Sequence, residues 1–84
     1  MGEEEPDRLM TPAQCRAARG LIRMTLNAVA QAAGVPATTV WDYESEIGDV
    51  TSADIDAMRT VLENAGVEFI DGDRPGVRMA DRRH

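Results

Sequence analysis

The chain has no lysine, one cysteine, one histidine, and one each of tryptophan, tyrosine and phenylalanine. Each shortage excludes a class of chemistry. The single cysteine, Cys15, excludes an internal disulfide and a cysteine-rich zinc site. The single histidine, His84, stands at the last position, so the body of the chain lacks the usual acid–base and metal-binding imidazole. No apolar run approaches the ~18 residues of a membrane span. The opening Met1-Gly2-Glu3-Glu4-Glu5 is acidic where a secretory signal would be basic. No nucleophile is set beside a base, and no metal-ligand spacing is visible. These absences predict a cytoplasmic domain that is not an enzyme, takes no cofactor or metal, and does not enter a membrane.

What is present is an ordinary globular balance, 43% hydrophobic and 29% charged residues. At 84 residues there is room for one small domain, which buries only ~60% of the surface its unfolded chain exposes. The net charge of -6 is unevenly spread. Residues 11–41 carry Arg16, Arg19 and Arg23 and no acid; residues 42–73 carry ten acids against Arg59 alone. Phosphate affinity follows cation count, so the acidic total disfavours non-specific attraction to nucleic acid, while the arginine block permits one basic face.

The periodicity predicts four helices and a terminal hairpin, between an acidic flexible tail (1–9) and a flexible tail at 81–84. Thr11 caps the first helix (12–22), Pro12 suits its first position, and Gln14 completes a Thr-x-x-Gln capping box. Met10 and Cys15 stand where a hydrophobic staple packs, and Cys15, Ala18, Leu21 and Ile22 follow helical spacing. Gly20 weakens this helix by ~1 kcal/mol relative to alanine, which predicts close packing there or an early end. Thr25 caps a second helix (26–33), with Val29, Ala30 and Ala33 inward, and Gly34 ends it in the left-handed conformation. After Pro36 a third helix (37–45) turns Val40 and Tyr43 inward. Thr51 and Ser52 start a fourth (52–65), with Ile55, Met58, Leu62 and Ala65 on one stripe. The period then changes. Val67–Ile70 and Val77–Met79 are β-prone, and Asp71-Gly72-Asp73-Arg74-Pro75-Gly76 is dense in turn formers. The apolar face of Val67, Phe69, Val77 and Met79 must pack on the first and fourth helices or join a second copy, since a lone hairpin is weak in water.

Two short helices joined by a tight glycine turn form the helix-turn-helix unit. Ala30 is small where the helices cross, Gly34 makes the turn and Val40 locks the third helix to the core. From Thr25-Leu26-Asn27-Ala28-Val29-Ala30 through Gly34-Val35-Pro36 to Val40-Trp41-Asp42-Tyr43-Glu44, the sequence resembles the phage-repressor/Cro-like (XRE) helix-turn-helix family of small bacterial transcriptional regulators. Met10–Arg19 is similar to the first helix of small members, and Ala65–Ile70 with Pro75–Arg78 to their C-terminal extension. The resemblance implies a compact four- to five-helix bundle over residues 10–80 and a homodimer. It also implies sequence-specific DNA binding, with the third helix in the major groove. It carries an ion pair between Arg19 and Glu44. The positions matching base-reading residues are Ala37, Thr38 and Asp42, flanked by Thr39 and Trp41, with Arg23, Thr25 and Asn27 at the entry to the second helix.

The same residues admit another reading. The first position of the second helix, often glutamine in the family, is Leu26; Asp42, Glu46 and Asp49 are acidic where phosphates would lie; and on the family's register Trp41 falls on the outer part of the third helix beside Leu26, where the two either tuck against neighbours and extend the core or form a small exposed apolar patch. An acidic rim around an apolar residue fits a protein partner, such as a regulator that this chain would occlude as an antiactivator or antirepressor. Elsewhere, Cys15 reads as a buried small hydrophobe, and Asp54 and Asp56 as helix-start charges. Asp71-Gly72-Asp73 reads as a turn without the remaining ligands of a calcium loop, and Arg82-Arg83-His84 as a frayed end.

Overall fold

The first helix starts where its capping box puts it. The Thr11 hydroxyl accepts from the Gln14 N–H at 3.0 Å, and the Thr11 N–H donates to Gln14 Oε1 at 2.8 Å. Pro12 fills the first helical position, whose N–H would have no partner in the helix. Met10 and Cys15, on either side of the cap, are both buried. The structure, a computed structural model, describes residues 9–80; the tail assigned to 1–9, apart from Leu9, and that at 81–84 lie outside the described residues.

Among them are four helices and one hairpin: α1 (Pro12–Ile22), α2 (Leu26–Ala33), α3 (Ala37–Ser45), α4 (Ser52–Asn64), β1 (Val67–Ile70) and β2 (Gly76–Met79). Thr25 caps α2 through a 3.0 Å bond from the Ala28 N–H, and Thr51 caps α4 through a 3.1 Å bond from the Asp54 N–H. Gly34 closes α2 at φ +76°, where a side chain would be strained. Its N–H and that of Val35 both bond the Ala30 carbonyl, at 2.9 and 3.0 Å.

The core is one cluster drawn from the four helices and β1, with Val77 of β2 packed against it. Cys15 and Ala18 of α1, Val29 and Ala30 of α2, Val40 of α3, and Ile55, Met58 and Leu62 of α4 meet Met10 and the strand residues Val67 and Phe69. Burying a Val-, Leu- or Met-sized side chain is worth ~1.5–3 kcal/mol, so these few residues supply most of the drive to fold. α2 packs on α3 and α4, and α1 on α3 and α4.

The hairpin docks on α1 and α4, as one of the two expectations had it. Its strands run antiparallel with Val67 opposite Met79 and Phe69 opposite Val77. Val67 and Phe69 are buried and Val77 is half-buried, but Met79 stays 44% exposed. Gln14 ties the hairpin to α1: its Nε2 donates to the carbonyls of Ile70 and Gly76, each at 3.0 Å.

Several expectations needed correction. The described bundle has four helices, without a fifth. α4 stops at Asn64, and Ala65 is its exposed C-cap rather than the end of the buried stripe. Arg59 is buried on that helix instead. Leu21 is exposed, because it sits about 100° around the helix from Ile22, which faces the core. Gly20 shows neither a close approach nor an early end: a Cβ there would meet nothing within 4 Å, and α1 continues to Ile22. Ala33 is only half-buried, and β2 begins at Gly76.

Candidate functional site

The position of α3 is set by Glu44. Arg19 grips its carboxylate through two parallel bonds, Nε to Oε2 at 2.6 Å and Nη2 to Oε1 at 2.8 Å. The Cys15 thiol donates to Oε2 at 3.2 Å, and Arg16 donates to the Glu44 backbone carbonyl. Arg19 also holds the Met24 carbonyl at 3.1 Å, fixing the turn before α2. The Tyr43 hydroxyl donates to the Met10 carbonyl, tying α3 to the start of α1. Burial alone would raise the Glu44 carboxyl; the bonds from Arg19 and Cys15, with the charges of Arg19 and Arg16, outweigh it and hold the group below its ordinary value. Burial, reinforced by the bond to Glu44, pushes the Cys15 thiol up to about 12, so it stays protonated and unreactive. Burial likewise pushes the Tyr43 phenol up to about 12.

With Val40 and Glu44 facing in, α3 turns Thr38, Trp41, Asp42 and Ser45 out, at the i, i+3, i+4, i+7 spacing of one helical face. Trp41 is 58% exposed. Thr38 is exposed and Thr39 half-buried. The N-cap, Pro36, offers no side-chain bond to the first N–H groups of α3. On α2, Asn27 and Gln31 are exposed. Arg23, exposed just before α2, is held in the left-handed region at φ +59°.

These placements sort the expected site residues. Arg23, Thr25 and Asn27 gather at the start of α2, and Thr38, Thr39, Trp41 and Asp42 on α3. The Thr25 hydroxyl is already the α2 cap. Ala37 is half-buried and packs against the core. Leu26 also packs on the core, whereas Trp41 does not, so the two do not form a shared apolar pair on the outside.

The electrostatics are sparse in cations. Arg19 is committed to Glu44, and Arg16 to the Glu44 carbonyl and, at 3.8 Å, to Glu46. Arg23 has no acidic partner among the described residues and is the one cation left at the entry to α2. Beyond α3 a cleft of about 320 Å³ is rimmed by Asp42, Glu46 and Asp49, with Tyr43, Pro12 and Val50 completing its wall. Glu46 caps α3 in the left-handed region, at φ +60°.

One cluster went unforeseen. Arg59, its side chain 7% exposed, bonds Glu63 at 3.0 Å and Asp71 at 3.3 Å, and its guanidinium lies 4.7 Å from the centre of the Phe69 ring. Its signal was available: one arginine among ten acids is a focus for carboxylates. The cluster fastens α4 to the hairpin and is architectural. Among the described residues there is no group of three or more His, Cys, Asp or Glu able to hold a metal ion, and no helix long and apolar enough to cross a membrane. No protein-family model matches the chain, and no curated protein matches it.

Proposed function

We propose that this protein is a cytoplasmic helix-turn-helix transcriptional regulator of the phage-repressor/Cro-like type, binding DNA as a homodimer through α2 and α3. The observation that carries the reading is the α2–Gly34–α3 unit. Two helices of eight and nine residues join at a left-handed glycine, the second locked inward by Val40 and Glu44 and turned outward with Thr38, Trp41 and Asp42. Thr38 suits a base edge or a phosphate, Trp41 stacking or apolar contact, and Asp42 a cytosine amino group. Arg23 and Asn27 lie where the flanking backbone would pass. With Arg23, and at most Arg16, reaching phosphate from each protomer, a dimer neutralises about 2–4 phosphates. Its log-affinity then falls with log-salt at a slope of only about -2 to -4.

A second reading has its own support. A tryptophan 58% exposed beside Asp42 and the acid-rimmed cleft favours an acidic helix-turn-helix protein that occludes another regulator through this same surface. A titration against promoter DNA at two salt concentrations, with wild type and the Asp42→Asn/Glu46→Gln double variant, separates the two. The DNA reading expects tighter binding by the double variant, because repulsion of phosphate falls. Absence of binding to any promoter fragment at low salt sinks it and leaves the protein partner.

A further inference from the structure

Each strand of the hairpin has an outward edge, and on β2 the alternation of the ladder identifies the groups left unused. The Ala80 N–H donates to the Gly66 carbonyl at 2.7 Å. Continued through the register, that makes Glu68 with Arg78 and Ile70 with Gly76 the hydrogen-bonded pairs, and Val67 with Met79 and Phe69 with Val77 the non-bonded ones. On β2 the N–H and C=O of Val77 and Met79 therefore point away from β1. Among the described residues no hydrogen bond reaches these groups. β2 has no proline, no lysine and no bulge to blunt its edge, and its one charged side chain, Arg78, is bonded to Glu68 at 3.0 and 3.1 Å. Beside the edge the apolar face runs out uncovered at Met79, 44% exposed.

We propose that β2 pairs antiparallel with β2 of a second copy, about a two-fold axis that passes beside Arg78. The edge is self-complementary in this register. Val77 falls opposite the second copy's Met79, and Met79 opposite its Val77. Because both residues bond outward, each pair exchanges both of its N–H···O=C bonds. The side chains then align across four strands. Val67 and Met79 continue into the second copy's Val77 and Phe69, Phe69 and Val77 into its Met79 and Val67, and Met79 gains the cover it lacks. On the opposite face the two Arg78 side chains abut at the axis, each held by its own Glu68. Sliding the register one way sets Pro75, which has no N–H, opposite Met79 and loses bonds. The same edge serves both copies, so pairing through β2 closes at two. This gives the homodimer of the proposed function its contact surface, and its test uses no DNA, so the two readings fail separately.

The test is sedimentation equilibrium of the full chain from micromolar to millimolar concentration, with amide exchange followed by NMR. The expected result is a reversible dimer in which the Val77 and Met79 amides slow by about tenfold or more as it populates. The outward Val67 and Phe69 amides of β1 keep their monomer rates. Met79→Pro removes an outward donor that serves no bond within the hairpin, and raises the dimer dissociation constant about 30-fold, two net hydrogen bonds being lost per dimer. Arg78→Glu lines four acids across the outer face and abolishes the dimer; Arg78→Thr removes the like-charge contact and tightens it. A chain still monomeric at about 1 mM overturns the proposal. So does a dimer in which the Val77 and Met79 amides exchange at the monomer rate, or protection of them already in the dilute monomer. Should Met79→Pro fail to fold, the wild-type exchange measurement decides alone.

Discussion

The two sides of α3 use similar residues to opposite ends. On the inner side Glu44 is surrounded: two bonds from Arg19, one from Cys15, and its own carbonyl held by Arg16. On the outer side the Asp42 carboxylate, two residues earlier, makes no hydrogen bond or ion pair among the described residues, and neither do the side chains of Thr38, Trp41 and Ser45. Tyr43 inside has its hydroxyl on a backbone carbonyl; Trp41 outside has its ring in water. A carboxylate and an aromatic ring on one nine-residue helix are thus fasteners on one side and free groups on the other. Substitutions should therefore separate by side, with inner changes read in stability and outer changes in binding.

The largest expected effect tests the inner side. Glu44→Ala leaves the Arg19 guanidinium without its carboxylate and should cost ~3–5 kcal/mol. A domain of this size holds ~5–10 kcal/mol in total, so most of the variant should be unfolded or melt far below wild type. A thermal or urea melt at the wild-type midpoint would break the comparison. The same residue sets an acid limit. Glu44 titrates below its ordinary 4.5 when folded, so its stabilisation is complete above that value and is lost as pH falls through the folded value. Glu44→Gln should remove that part of the acid dependence, seen in urea midpoints measured from pH 7 down to pH 3.

Next in size is Gln14→Glu, which sharpens the comparison because it preserves the local rule and breaks the distant one. Glutamate serves a capping box as well as glutamine does. Here, however, the Gln14 amide also donates to the Ile70 and Gly76 carbonyls, and a carboxylate would face both oxygens without a hydrogen to offer. A loss of ~2 kcal/mol is expected from the two acceptors deprived of their donor and the repulsion added. An unchanged denaturant midpoint would mean that these bonds carry nothing.

Arg23→Gly should act in the other direction on stability. A left-handed backbone costs an L-residue ~1–2 kcal/mol that glycine does not incur, offset in part by glycine's greater freedom when unfolded, so a gain of up to ~1 kcal/mol is expected. The same change removes the one uncommitted cation at the start of α2, and the salt slope for DNA should shrink by about 2 per dimer. A slope that does not move would take Arg23 out of the interface.

Trp41→Ala should have the smallest effect on folding, within ~0.5 kcal/mol, since the ring is mostly in water. Its effect should appear in binding instead, at ~2 kcal/mol or more against whichever macromolecule the surface takes. A large loss of stability would show that Trp41 belongs with the inner side.

Local features of the fold were readable from the residues; distant ones were not. Thr11, Thr25 and Thr51 announced three helix starts and Gly34 the turn, because caps and left-handed glycines are decided within four residues. The pairing of Arg19 with Glu44 followed from the family resemblance rather than from spacing. The second task of Gln14 and the burial of Arg59 depend on the hairpin folding back over α1 and α4, and no local pattern encodes that return. Ala65 and Leu21 were misplaced for a related reason: apolar periodicity names candidates for a face, but the docking partner decides how far the face extends. Of the candidate surface, the outward placement of Thr38, Trp41 and Asp42 followed from the family resemblance. The packing of Ala37 against the core did not, since alanine fits either side.

The reach of Gln14 has a consequence in time. Its amide spans 56 residues to Ile70 and 62 to Gly76, so the bonds close one of the longest loops in the chain. Closing such a loop carries an entropy cost that grows with its length, and contacts of this separation form late. The Thr11–Gln14 cap is local and forms with its helix. The one side chain therefore belongs to an early event through its oxygen and to a late one through its nitrogen. The hairpin would be the last part to arrive and the first to lift away, leaving α1 capped and its glutamine amide turned back to water.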